Sequence, residues 1–262
     1  MKKILYVFLI SCFSFTIFSC AKKDGSSDTS TSFWPKQIGT SSNDYGTGVT
    51  VEFSDNIHVS GQSNGGLDGN INSLNDGIFL VKYNSSGTKL WTKQLGIFDN
   101  ESGISMTVDS SDNIYVTGYT TEGYDGNSNS GNYDIFLVKY NSSGNKLWTK
   151  QLGNSDTDIG MGVTVDSSDN IYVTGIASGG LDSNTSSGGE DIVLMKYNSS
   201  GIKQWRKQLG SSSSDFAWDV TVDSSDNIYV TGFINGSLDG QFNQGSNYDI
   251  FLVKYNSDGV KQ

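Results

Sequence analysis

The chain has 262 residues, of which 35% are hydrophobic and 32 are glycine, and its net charge is −11. An acidic chain repels phosphate backbones and anionic lipid surfaces, which argues against electrostatic binding to nucleic acid or to membranes. Gly, Ser, Asn and Asp recur between short runs of Val, Ile, Tyr and Phe. This composition is typical of an all-β fold with many turns.

The chain begins with a targeting segment, residues 1–20, which reads MKKILYVFLISCFSFTIFSC. Two lysines precede an apolar stretch that fits a signal peptide and is short for a membrane span. The ending IFSC looks like a bacterial lipobox, in which Cys20 becomes the lipidated first residue; an ordinary cleaved signal with a free Cys20 is the alternative. Residues 21–33 are polar and are predicted to form a flexible tether. We therefore predict a lipid-anchored protein of the bacterial cell envelope, at the outer membrane or cell surface.

A period of 57 residues runs from residue 34 to the end of the chain. It is marked by Trp34, Trp91, Trp148 and Trp205, and by Gly61, Gly118, Gly175 and Gly232. A fixed period of this size indicates a repeat architecture. The repeats cover residues 34–90, 91–147, 148–204 and 205–262, with one inserted residue in the last.

Each repeat contains four strand-like runs. In the third repeat they are residues 162–167, 170–175, 191–197 and 203–210. The first two runs are joined by the turn residues SSD, after which Asn170 tolerates a left-handed conformation. Runs such as IFLV carry bulk on both faces, which favours sheets buried on both sides. The sequence therefore predicts an all-β β-propeller of four four-stranded repeats arranged around an axis.

The two ends of the repeat region suggest how the propeller closes. The last repeat stops before its Trp strand, whereas residues 34–39, WPKQIG, supply that strand at the start. The simplest solution pairs 34–39 with the last repeat in a closed four-bladed ring, which would be a monomer. The alternative is a partial propeller, either one half of a dimer or the product of a truncated gene. A single repeat cannot bury its own sheet faces, so in either case the end repeats have to be covered by something else.

The blocks GVTVDSSDNIYVTG and DIFLVKYNSSGNKLWTKQLG resemble the SBBP beta-propeller repeat family of bacterial surface and secreted proteins. The resemblance implies a propeller and an envelope location, and it brings no catalytic residues. The family usually has Gly at the turn position held here by Asp112, Asp169 and Asp226.

Two catalytic signals in the first repeat are weak. Residues 61–65, GQSNG, match the G-x-S-x-G nucleophile motif, but they follow a hairpin strand, and the other repeats do not place Ser where Ser63 stands. His58 is the only histidine, and it holds the position of a tyrosine in the other repeats. We predict that Ser63 and His58 are structural and that the protein is not an enzyme.

Loops between the second and third strands place oxygen side chains at alternate positions, as calcium loops do. The sixth-position Gly and twelfth-position Glu of such loops are missing, so the expected affinity is weak, and plain Asx turns are the alternative. No other cofactor is predicted. The candidate calcium ligands are Asp68, Asn70, Asn72, Asp125, Asn127, Asn129, Asp182, Asn184, Asp239, Gln241 and Asn243.

The repeated tryptophans are predicted to pack on the outermost strands beneath lysine stems, with a sugar-stacking ring as the alternative. Trp218, which has no counterpart in the other repeats, is a candidate for a surface contact. Together these features predict a non-catalytic, surface-anchored module that binds a protein or glycan partner. There are two alternatives: a purely structural envelope component, and a hydrolase or lyase with a carboxylate pair in the central channel.

Overall fold

The computed structural model describes residues 34–70, 77–94, 102–123, 125–181, 184–238, 240–243, 245 and 247–262. Ser32–Gln262 form one compact unit. Its regular structure is antiparallel sheet, apart from a short 3-10 turn at Leu67–Gly69. Within the described ranges, no helix is both long enough and apolar enough to cross a membrane.

Four sheets follow one another along the chain, and in each the strands pair in chain order. Blade 1 consists of β1 (Asp44–Val51), β2 (Ile57–Ser63), β3 (Gly77–Tyr83) and β4 (Lys89–Gln94). Blade 2 consists of β5 (Ser102–Val108), β6 (Ile114–Thr120), β7 (Asp134–Tyr140) and β8 (Lys146–Leu152). Blade 3 consists of β9 (Asp158–Val165), β10 (Ile171–Ser178), β11 (Glu190–Tyr197) and β12 (Lys203–Leu209). Blade 4 has β13 (Asp215–Val222), β14 (Ile228–Ile234) and β15 (Asp249–Tyr255).

The blades stack face to face through their first strands, since β1 contacts β5, β5 contacts β9 and β9 contacts β13. Apolar clusters fill the spaces between them. Leu80 lies in one cluster with Met106, and Leu137 lies in another with Val163. Every residue of β7 is buried, as expected for a sheet covered on both faces. The prediction of an all-β, propeller-like fold with four repeats is confirmed.

The first strand of blade 3 is longer than the sequence pattern predicts. It begins at Asp158 rather than at residue 162, because a bulge between Gly160 and Gly162 interrupts the alternation of side chains. The left-handed turn residue is also not Asn170. Asp169 has that conformation, with φ of 59°, so the expectation for Asn170 was wrong.

Ring closure through residues 34–39 is not confirmed. These residues form no strand, and Ile38 packs against the apolar cluster of blade 1 rather than on blade 4. Blade 4 keeps three strands in the described part of the chain. Over the same described residues, β1 and β13 show no packing comparable to that between neighbouring blades. Within the described part of the chain, the four blades therefore form an open series.

Candidate functional site

The repeated stretch DSSDNIY builds one hydrogen-bond network in each of blades 2, 3 and 4. In blade 3, Asp166 accepts hydrogen bonds from the backbone N–H groups of Ser168 and Asn170, each at 2.9 Å. The hydroxyl of Tyr172 donates to the same carboxylate at 2.9 Å. Turn geometry predicts the backbone bonds, but it does not predict the buried tyrosine that reaches back from the following strand. The six-residue spacing between Asp and Tyr, repeated three times, was the available signal.

In blades 1, 2 and 3, a lysine from the third strand completes the network and connects it to the next blade. Nζ of Lys139 lies 3.2 Å from Asp109 and donates to the carbonyl oxygen of Ser199 in blade 3. Burial alone would raise the pKa of Asp109, but hydrogen bonds from Asn113, Tyr115 and a backbone N–H group lower it. Burial raises the pKa of the Tyr115 hydroxyl, and the hydrogen bond to Asp109 raises it further. The network is therefore an ionised carboxylate held by neutral and cationic donors in the sheet interior.

Blade 1 carries a different version of this network, and His58 belongs to it. Nε2 of His58 lies 2.6 Å from Glu52, and Nζ of Lys82 lies 2.7 Å from the same carboxylate oxygen. Burial would raise the pKa of Glu52, but bonds from Lys82 and His58 lower it to about 2. Burial lowers the pKa of His58, although Glu52 opposes this. The prediction that His58 occupies the structural position of a tyrosine is confirmed.

Aspartates at the left-handed turn position bind the preceding blade. The carboxylate of Asp169 accepts hydrogen bonds from the backbone N–H of Ser110 at 3.0 Å and from its hydroxyl at 2.8 Å. Asp226 binds Ser167 in the same way. Glycine would adopt the positive φ with less strain. An Asp at this position therefore adds a bond between blades that a Gly cannot make.

The other isolated signals also have structural roles. Ser63 is buried and donates to Asp44 at 2.6 Å, rather than to a histidine. Trp91, Trp148 and Trp205 are half-buried and pack against the apolar clusters, each near the ring of His58, Tyr115 or Tyr172. Lys150 and Lys207 lie over the rings of Trp148 and Trp205. The tryptophans of these three strands are therefore packing residues, as predicted.

Two of the candidate calcium loops, those of blades 1 and 2, start with an aspartate that binds lysine. Asp68 contacts Lys89 and accepts a hydrogen bond from Thr92, and Asp125 contacts Lys146 and Thr149 in the same way. Asn70 and Asn129 donate to backbone carbonyl oxygens. Asn72, Asp182 and Asp239 lie outside the described residues. Among those described, no three His, Cys, Asp or Glu side chains group as a metal site would require. Calcium binding stays an untested prediction.

Buried aspartates at the starts of strands anchor the loops, a role that the sequence pattern did not indicate. Asp134 accepts from the backbone N–H of Ser130 at 2.9 Å and from the side chain of Gln151 at 3.0 Å. Asp158, in the next blade, accepts from the backbone N–H of Asn154 at 2.7 Å. Both carboxyl groups are completely buried. Burial, together with the nearby charges of Asp134 and Asp156, raises the pKa of Asp158 to about 7, although the bond from Asn154 and the charge of Arg206 oppose this.

The two edges of the blades differ in sequence. The turns at one edge are nearly identical, as the three copies of DSSDN and NSSG show. The connections after the second strands leave from the other edge, because all blades share one strand order. These long loops, residues 64–76, 121–133, 179–189 and 235–248, differ from one another, contain no Lys or Arg and are rich in Asn, Ser and Gly. Phe242 in the last loop is 81% exposed.

The beta-propeller repeat model of the SBBP family matches residues 34–68, 90–125, 147–182 and 204–239. The chain therefore belongs to the SBBP beta-propeller repeat family. This agrees with the fold, since each match begins at or next to a tryptophan of the 57-residue period.

Two curated proteins are similar over part of their length. An uncharacterized WD repeat-containing protein of Acanthamoeba polyphaga mimivirus is 28% identical over 216 residues, which cover 64% of this chain. The regulatory protein FlaEY of Caulobacter vibrioides is 26% identical over 163 residues, which cover 56% of this chain. The chain spans 16% and 17% of the lengths of these relatives.

Solved structures with similar folds are more distant. A gluconolactonase of Xanthomonas campestris has a TM-score of 0.43 at 11% identity, covering 82% of this chain and 60% of that one. A protein from Bacteroides caccae has a TM-score of 0.40 at 9% identity, covering 82% and 62%. At these TM-scores and identities, the similarity says nothing about activity.

Proposed function

We propose that this protein is a non-catalytic binding module of the bacterial cell envelope. A lipid on Cys20 would attach it to the outer membrane or cell surface, with residues 21–33 as a tether. The loop edge, formed by residues 64–76, 121–133, 179–189 and 235–248, would bind a protein or glycan ligand. The contrast between this varied edge and the nearly identical turns opposite carries the proposal.

The chemistry of the loop edge supports a binding role. Loops rich in Ser, Gly and Asn provide adaptable hydrogen bonding, as the recognition loops of antibodies do. Exposed aromatic side chains such as Phe242 add contact area. Because the loops carry acidic residues and no Lys or Arg, the expected ligand is neutral or positively charged. Buried carboxylates such as Asp134 fix the loop ends, so the loops are held on a rigid base.

The perturbed carboxyl group of Asp158 does not favour a hydrolase. A catalytic acid has to reach its substrate, but Asp158 is completely buried and already bonded to the backbone of Asn154. The carboxylates of the repeated networks are likewise enclosed in the sheets, as Asp109 and Asp166 illustrate. Structural use accounts for all of these groups, so binding is the better-supported function.

The proposal is tested with the full chain expressed in bacteria and purified in mild detergent. We expect a ligand on panels of envelope proteins, host proteins and glycans. Replacing one long loop at a time with a Gly-Ser segment of equal length should reduce its affinity at least tenfold for one or more loops. The matched control is Leu147→Ala, which alters an exposed apolar residue on the outer strand of blade 2. A chain that binds nothing on the panels, or whose binding is insensitive to all four loops, would contradict the proposal.

The anchor is tested separately. Mass spectrometry of the mature N-terminus should find acyl chains on Cys20, and Cys20→Ser should move the protein from the membrane to the soluble fraction. An unmodified Cys20 in the wild-type chain would contradict the lipid anchor and leave the ligand question open to the loop test.

A further inference from the structure

Blade 1 presents an apolar face that no described part of the chain covers completely. Val49 is 68% exposed, whereas its counterparts Met106, Val163 and Val220 are buried against the preceding blade. Val51, on the same face two residues further on, is 53% exposed. The inner part of this face therefore lacks the neighbour that every later blade has.

Blade 4 presents the opposite face of the same kind of contact. Ile250 and Leu252 on β15 are 88% and 70% exposed, whereas Ile192 and Leu194, at the same positions on blade 3, are buried against blade 4. Phe233 pairs with Ile250 across the sheet, so it lies on this face too. Apolar surface of this extent marks an interaction site.

The two uncovered faces are complementary, because they are the two halves of a contact that occurs three times within the chain. Leu80 shares an apolar cluster with Met106, and the equivalent residues of the following blades do the same. Leu252 and Val49 occupy these two positions at the ends of the series.

The hydrogen bond between the turn Ser of one blade and the turn Asp of the next is also incomplete at the two ends of the series, since each end carries only one of the two partners. Ser167 of blade 3 binds Asp226 of blade 4. The same two positions are held by Ser224 in blade 4 and Asp55 in blade 1, and both residues are exposed. Asp55 also has the positive φ of its counterparts. A blade 4 placed against a blade 1 would therefore find both partners of this bond already in position.

The segment 34–39 and the free edge of β15 form a third complementary pair. Ile38 packs on the cluster of blade 1, as Leu152 and Leu209 of fourth strands pack on the blades that follow them. The segment thus lies where the fourth strand of a preceding blade would lie. Among the described residues, the fourth strand of blade 4 is limited to Lys261 and Gln262, which pair with the last two residues of β15. The rest of that edge is open, and a cleft of about 300 Å³ runs beside Ile250 and Leu252. An unpaired strand edge is a template for pairing with another chain.

We propose that a second copy of this chain docks head to tail on these faces. Blade 4 of one copy stacks on blade 1 of the other, Leu252 meets Val49, and β15 pairs with residues 34–39 of the partner copy. The same contact formed twice closes a dimer around a two-fold axis and leaves no face uncovered. Another copy reproduces the apolar, polar and edge features together, because the internal blade contacts already show them matched.

The oligomeric state of the full chain in mild detergent tests the proposal first. Light scattering, corrected for bound detergent, should give twice the mass of the chain at micromolar concentration. Leu252→Asp should shift the population at least tenfold toward the monomer. The matched control Leu147→Asp, at an exposed apolar residue outside both faces, should not. A wild-type chain that is monomeric at all concentrations would overturn the proposal.

Disulfide trapping decides which faces meet and does not depend on the aspartate variants folding. Chains with Val49→Cys and chains with Leu252→Cys, carrying different tags, are mixed and oxidised. We expect a disulfide that joins the two tags, and none when Leu147→Cys replaces Val49→Cys; the wild-type chain controls for bonds through Cys20. If a chain with both substitutions forms the disulfide only within itself, the four blades close on themselves and the proposal is wrong. Variants of the loops 121–133 and 179–189, which belong to blades 2 and 3, should leave both results unchanged, so this test is independent of the ligand.

Discussion

Replacing Asp158 with Asn should stabilise the protein at neutral and alkaline pH. The carboxyl group is completely buried beside Asp134, and burial followed by neighbouring charge raises its pKa from 3.8 to about 7. An Asn at this position keeps an oxygen that accepts the backbone N–H of Asn154, which is now 2.7 Å from the carboxylate. The substitution therefore removes the buried charge and retains the hydrogen bond.

The pKa of about 7 sets the direction and size of the effect. Below pH 3.8 Asp158 is protonated in both the folded and the unfolded chain, and it does not penalise folding. As the pH rises to about 7 the unfolded chain ionises while the folded chain keeps its proton, so stability is lost over this range. At about 1.4 kcal/mol per pKa unit, the loss is about 4 kcal/mol above pH 7.

Urea unfolding followed by circular dichroism at pH 3.5 and pH 8 measures the difference. Asp158→Asn should match the wild-type chain at pH 3.5 and exceed its free energy of unfolding by about 2–4 kcal/mol at pH 8. Asp258→Asn is the matched control, because it makes the same change in charge at an exposed turn. A gain of equal size at both pH values, or no gain at pH 8, would refute the reasoning.

Three further substitutions test the packing of the blades by urea unfolding. Tyr172→Phe removes a buried donor to Asp166 and should cost about 1–2 kcal/mol; Tyr229→Phe, at a less buried copy of the contact, should cost less, and an equal loss would contradict the role of burial. Glu52→Gln leaves the buried Lys82 without its counter-charge and should lower the free energy of unfolding by about 3 kcal/mol. Adding Lys82→Met to this variant should restore part of the lost free energy, and no recovery would count against the ion pair. Gly175→Ala places a Cβ against the carbonyl oxygen of Ile159 and should cost about 2–3 kcal/mol; Gly245→Ala, where nothing lies within 4 Å, should be neutral, and equal effects would exclude steric collision as the cause.

Much of the fold was predictable because the same pattern of strand and turn residues recurs in each repeat. Gly61, Gly175 and Gly232 recur because a side chain at these positions would collide with the backbone of the neighbouring strand. The four sheets and their order follow from strand runs that are apolar on both faces. Closure was not predictable, because residues 34–39 carry the pattern of a fourth strand, WPKQIG, without specifying which strand edge they pair with.

The hydrogen bonds and ion pairs of the aspartates were harder to predict from the sequence than the fold was. The role of Asp166 in a turn follows from its position before SSDN, but its bond to Tyr172 depends on the twist that brings strand and turn together. Asp158 looks like any loop aspartate in the sequence, and only its burial beside Asp134 raises its pKa. Pairs formed between blades cannot be deduced from one repeat. Two equivalent loop aspartates, Asp68 and Asp125, proved to bind lysines of the outer strands, which no local pattern indicates.

The bonds that join neighbouring blades have a consequence for the order in which the chain folds. They connect residues about one repeat apart, such as Lys82 with Ser142, 60 positions later, and Ser167 with Asp226, 59 positions later. Folding rates fall as the sequence separation of contacts grows, and here that separation does not increase with the number of blades. Each blade can pack on the one before it as soon as the next 60 or so residues have been synthesised. The chain can therefore fold in order from its first blade to its last, before its final residue is available.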